Sequence, residues 1–235
     1  MATWSAGRIR EAAGAMDHVA RLFADAGELL RVGFPRASRG TLLHWMAKPE
    51  DGLADADEAL ELERSLGNVD GECYALCSRS GTLLGVVRAP EALSDATDAL
   101  ALARQLRHRE WIAYAHWNVG QAKLELGDLP GAEAAFALGL EASHNIPIFA
   151  SENASGIAIA LIRQGKVDAA RHHVDRALAE GPPQSLYNGR LAAAEVAVAT
   201  NDPNAERVIG EAISRAEQGG HLLSIRRLRV LAARL

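Results

Sequence analysis

One short stretch, Gly127-Asp128-Leu129-Pro130-Gly131-Ala132, can be laid along the chain five more times. It falls on Gly7-Arg8-Ile9-Arg10-Glu11-Ala12 and on Gly165-Lys166-Val167-Asp168-Ala169-Ala170, and its last slot is filled again by Gly52, Ala92 and Ala205. Small residues therefore stand at 12, 52, 92, 132, 170 and 205, with spacings of 40, 40, 40, 38 and 35 residues. Pro90, Pro130 and Pro203 each lie two residues before that slot, where a helix is starting and a missing N–H costs little. A period near forty is a strong constraint. One such unit cannot bury its apolar face alone, whereas a stack of them builds a continuous core.

Between the turns the signal is helical. Alanine and leucine recur at three- and four-residue steps in "EALELERSLG", "DALALARQLR" and "RHHVDRALAEG", and no stretch alternates with period two. Each unit reads as helix A, a short turn, then helix B, and Ala59-Leu60, Ala99-Leu100, Gly139-Leu140, Ala177-Leu178 and Ala212-Ile213 continue each helix B. Gly120 and Ala132 let the two backbones approach, Gly127 takes the left-handed conformation that ends helix A, and Phe136 fills the gap beyond.

The stretch "WNVGQAKLELGDLPGAEAAFALGLEAS" resembles the tetratricopeptide repeats at Gly120, Gly127-Asp128, Ala132 and Phe136. It departs from that pattern at Lys123, where an aromatic is usual, and at Gly139, where alanine is usual. The long period resembles the variant found in the helical region of bacterial signal-transduction ATPases, LuxR-type transcriptional activators among them. The resemblance implies an all-α fold, a right-handed superhelical α-solenoid of antiparallel helix pairs. It would form one domain over residues 1–235, of about five repeats with half-repeats at both ends and turns near 7–12, 47–52, 87–92, 127–132, 165–170 and 200–205.

The ends of the register carry expectations of their own. "MATWSA" reads as the tail of a helix A, and "HLLSIRRLRVLAARL" as a helix A with no helix B after it. Leu222, Leu223, Ile225, Leu228, Leu231 and Leu235 would then stay partly uncovered, which points to a chain cut from a longer protein or to a homodimer seam on this helix. Alternatively the helix is itself the cap, with Arg226, Arg227, Arg229 and Arg234 as its solvated face.

A net charge of −5, with basic residues clustered only in "SIRRLR", argues against a nucleic-acid surface. Neither a signal peptide nor a membrane-length apolar run is present, so a cytoplasmic location is expected. Cys73 and Cys77 share a helix face at a separation unsuited to a disulfide and are expected to be reduced and buried.

No arrangement of residues points to catalysis, a metal or a cofactor. His172 and His173 are adjacent and face different ways, Glu141 and His144 lack the partner motif of a carboxylate bundle, and Gly165-Lys166 lacks a phosphate loop. Binding has better support. Eighteen residues before successive small-residue slots stand Phe34, Tyr74, Tyr114, Glu152 and Tyr187, four of the five aromatic in a chain that is only 5% aromatic. In tetratricopeptide solenoids the concave groove is made mainly by helices A, so the resemblance places Tyr74, Tyr114, Trp117, Gln121, Arg163, Tyr187 and Arg190 along it. Packing of these rings into the core is the alternative, as is pairing of Arg163 and Arg190 with Glu152 or Glu125. The expected function is non-catalytic binding of a protein, a peptide or a small inducer, as a regulatory or sensor region of a larger bacterial signalling or transcription protein. Rival readings are a small-molecule-binding or enzymatic helical domain and a self-assembling scaffold.

Overall fold

The computed structural model describes residues 8–183 and 185–235, and every regular element among them is helical. In chain order these are α1 (Ile9–Asp25), α2 (Gly33–Trp45), α3 (Pro49–Ser65), α4 (Val69–Gly85), α5 (Ala89–Leu106) and α6 (Arg109–Glu125). They continue as α7 (Leu129–Ala142), α8 (Pro147–Arg163), α9 (Val167–Glu180), α10 (Leu186–Ala199), α11 (Ala205–Gly219) and α12 (Leu222–Ala232). A single 3-10 turn, Leu29–Arg31, joins α1 to α2. Residues 1–6, read above as the tail of a helix A, lie outside the described residues.

The joints between helices follow one design. A residue with positive φ occurs at Gly27, Ala47, Gly67, Val87, Arg107 and Gly127, one every twenty residues, and again at Asn145, Gly165, Asn201 and Gly220. At most of these joints the N–H of the next residue returns to the carbonyl five residues back, from Asp128 to Lys123 at 3.0 Å and from Lys48 to Leu43 at 2.9 Å. That bond closes the helix behind it. Where the next residue is Asn68, His108, Asp128 or His221, its side chain accepts the backbone N–H three residues on and opens the helix ahead. Two residues thus end one helix and begin another.

Consecutive helices pack on each other throughout, and each even-numbered helix also packs on the next even-numbered one, α2 on α4 through to α10 on α12. The odd-numbered helices make no comparable contact among themselves. The even helices are helices A of the register, so they form the inner layer of the right-handed solenoid, and the odd helices, its helices B, form the outer layer. Phe136 of α7, fully buried, shows how closely the layers fit: a methyl group at Gly120 or Gly156 would come within 2.4 or 2.5 Å of its ring. Arginines clamp one repeat to the next. Arg39 of α2 reaches Asp17 of α1 and Asp55 of α3, and one repeat on Arg79 of α4 reaches Asp57 of α3 and Asp95 of α5.

Of its two readings, the C-terminal helix agrees with the cap: Arg226, Arg227, Arg229 and Arg234 are exposed and most of its apolar side is covered. Ile225, Leu228 and Leu231 are buried, because α12 lies back on α10 and α11 and touches α2; Leu222 and Leu235 are exposed. One apolar cluster contains Ile9, Met16 and Leu42 from the first two helices together with Tyr187, Ala216 and Ile225 from the last three. The stack of repeats therefore closes on itself.

Candidate binding groove

The contact between α2 and α12 narrows the concave side into a groove that stays open to solvent. Two connected compartments share Gln121, Glu125 and Arg227, one of about 690 Å³ and one of about 170 Å³. Every residue that lines them comes from α2, α4, α6, α8, α10 or α12, or stands at an end of α12. The inner layer alone builds the site.

The smaller compartment is mostly uncharged. Thr41, His44 and Trp45 of α2 face Tyr114, Trp117 and Gln121 of α6, with Asn188 of α10 and His221 at the start of α12 beside them. Burial lowers the pKa of His44 to about 4 and that of His221 to about 3, so both are neutral near pH 7. His221 Nδ1 accepts the Ser224 N–H at 3.1 Å, and its ring packs on Tyr187 at 4.6 Å and on Trp45 at 5.4 Å between centroids. Trp117 Nε1 and His44 Nδ1 are buried without a hydrogen-bond partner, which leaves the indole donor unsatisfied.

The larger compartment is charged. Arg163 at the end of α8 and Arg227 and Arg234 from the C-terminal helix region share it with Glu125 and Glu195. Arg227 is exposed to the cavity, and desolvation by the neighbouring helices lowers its pKa, with Glu125 opposing and Arg163 reinforcing the shift. Desolvation also raises the pKa of Glu195, against the pull of Arg163, Arg227 and Arg234.

The residues singled out from sequence divide into three groups. Tyr114, Trp117, Gln121 and Arg163 line the space. Tyr74 and Tyr187 are buried in packing: the Tyr74 hydroxyl pairs with Ser38 Oγ at 2.8 Å, its ring stacks on Phe34 at 4.4 Å, and Tyr187 lies under His221. Arg190 is on another face of α10, in a depression with Leu178 of α9 and Val208 and Arg215 of α11. The aromatic column itself runs from Phe34 through Tyr74 and Tyr114 to Phe149 at 5.0 Å, tying inner helices together. Glu152 leaves that column: it is buried, accepts Asn188 Nδ2 at 2.6 Å, and is pushed up to about 8 by burial. Trp45, His44, His221, Asn188, Glu195, Arg227 and Arg234 were not among the residues expected to line the groove.

Cys73 and Cys77 are free, buried thiols. Among the described residues no group of three His, Cys, Asp or Glu side chains is placed to hold a metal ion, and no helix is long and apolar enough to cross a membrane.

An inner layer of helices A lining a concave groove, with helices B outside it, defines a tetratricopeptide-like α-solenoid. Solved structures share this fold at low identity. The Rap protein complexed with competence and sporulation factor superimposes with a TM-score of 0.67 at 20% identity, over 97% of this chain and 72% of that one. NprR in complex with its cognate peptide NprX gives 0.70 at 14% identity, over 92% of this chain and 65% of NprR. The apo form of RapI gives 0.60 at 14% identity, over 94% and 97%. No protein-family model matches the sequence, and no curated protein does.

Proposed function

We propose that the chain is a non-catalytic repeat domain that takes an extended peptide into the groove lined by its helices A. Within a larger bacterial signalling or transcription protein it would serve as the regulatory or sensor part. The observation that carries this reading is the groove, whose two connected compartments are lined by all six inner helices, so that an extended occupant spanning both would touch each of them. Aromatic faces at one end, arginines at the other and the unsatisfied Trp117 indole between them suit a peptide backbone with mixed side chains. NprR, which shares the fold, was solved with a peptide in place.

A second reading, a small inducer, draws on size alone: about 690 Å³ falls within the roughly 300–1,000 Å³ of small-molecule sites. The two are separated by affinity selection from a defined pool of random synthetic heptapeptides, read by mass spectrometry. The wild-type protein is expected to retain a subset that Trp117→Ala and Gln121→Ala release, with helical circular dichroism unchanged. Retention that is equal in wild type and both variants would sink the groove as the site.

A further inference from the structure

The outer face of the stack carries depressions that share no residue with the groove. One, about 340 Å³, lies between α3 and α5 over α4, and it balances its own charge: Arg79 rises from α4 to Asp57 on one wall and Asp95 on the other. Another, about 630 Å³, lies between α9 and α11 over α10 and has no such clamp. Arg190 of α10 is half-buried in it and makes neither an ion pair nor a hydrogen bond with any described residue. Asp95 stands three residues after Ala92; the same slot after Ala205 is Val208.

The rest of this depression is suited to packing. Leu178, Leu186, Ala193 and Val208 line it, and Leu178 is 37% exposed. The other charges there do not neutralise Arg190. Glu211 pairs with Arg207 at 2.7 Å, and Arg215 adds a second positive charge that reinforces the desolvation lowering the Arg190 pKa. A partner that covered the depression would strip Arg190 of its remaining water, so it has to bring an acceptor for the guanidinium along with its apolar surface. A channel between two neighbouring helices is shaped for a third helix, whose ridges of side chains seat between theirs.

We infer that the depression between α9 and α11 is a docking surface for a helix of a partner protein, one with an apolar stripe and an Asp or Glu beside it. The stripe lies on Leu178 and Val208, and the carboxylate meets Arg190. This surface faces away from the peptide groove and stands or falls independently of it.

The test uses two matched sets of synthetic amphipathic helices, alike except that one carries Glu beside the apolar stripe and the other Gln. Binding to the full chain is read by fluorescence anisotropy, and folding of each variant by circular dichroism. Helices of the Glu set are expected to bind at least tenfold more tightly than their Gln counterparts, and Arg190→Gln should erase that difference. Val208→Asp, which gives Arg190 the partner that Asp95 gives Arg79, should weaken the Glu set by tenfold or more. Leu178→Asp, at an exposed position, should do the same and keeps the test sharp if Val208→Asp does not fold. Failure of every Glu helix to bind overturns the docking surface, as does equal binding of the two sets or a wild-type preference kept by Arg190→Gln and Leu178→Asp. Self-association that Leu178→Asp abolishes, seen by light scattering, would seat a second copy of the chain there and overturn the separate partner.

Discussion

The indole of Trp45 stacks on the imidazole of His221 with 5.4 Å between centroids and 24° between planes, which joins the end of α2 to the start of α12. The same imidazole caps α12 through Nδ1 and rests on Tyr187. Removing either ring should therefore loosen the closure. Trp45→Ala and His221→Ala, compared singly and together by chemical denaturation, are expected to show a coupling energy of about 1 kcal/mol. Strictly additive losses would mean that the stack does not help hold the ends.

Acid should open the same contact. Burial, reinforced by His44, holds His221 at about 3 in the folded chain, against about 6.5 unfolded. Because the folded pKa is depressed, a neutral His221 contributes its stability above pH 6.5, and the contribution is lost as pH falls toward 3. The gap in thermal stability between wild type and His221→Ala is thus expected to narrow steadily from pH 6.5 to 4. A gap that stays constant over that range would refute it.

Glu152 acts in the opposite sense. Burial raises its carboxyl to about 8, and its folded pKa lies above its unfolded one near 4.5. Its contribution is full below pH 4.5 and is lost as pH rises through 8. Glu152→Gln keeps an acceptor for Asn188 Nδ2 and has no charge to bury. The variant should gain on wild type by several degrees in melting temperature between pH 5 and 9; parallel pH curves would count against a proton held there.

Val87 occupies a joint where φ is +61° and its side chain is 89% exposed, so it pays for a left-handed backbone with no packing in return. A β-branched residue in that conformation is strained by roughly 1–2 kcal/mol. Val87→Gly is expected to stabilise the protein by about 1 kcal/mol, or about 2–4 °C in melting temperature. A lower melting temperature would show that the joint tolerates the branch.

Gly120→Ala should destabilise by about 1–3 kcal/mol, because the new methyl would sit 2.4 Å from the Phe136 ring. Phe136→Leu in the same protein relieves that collision, so the double variant is expected to be more stable than the sum of the single losses. Additivity measured by calorimetry would show that Phe136 is not what Gly120 makes room for.

The alternation of helices A and B was legible because packing two helices this closely demands a small residue at each crossing, and Gly52, Ala92, Ala132 and Ala170 recur at the pace of the fold. The groove was legible only in part. Register places Tyr74 and Tyr187 on the inner helices, but the inner face of each helix A is shared between the cavity and the next helix A. Bulk decides which side takes a ring, and both rings went into packing. Arg190 shows the same limit, since a position along a helix does not say which way a long side chain turns. Arg227 and Arg234 had no register to be read in, because groove positions were counted back from the small residue that opens each helix B, and the last such slot, Ala205, precedes α12. The Trp45–His221 contact left no local signal at all: it depends on twist summed over the whole array.

That contact changes what kind of object the repeat array is. In an open spiral, stability is a sum over neighbours, and a unit can be gained or dropped at little cost. Here α2 and α12 share an apolar cluster, so helices far apart in the chain depend on one another. Inserting or deleting a repeat between α2 and α12 would separate them, so the loss would fall on both helices as well as at the point of change.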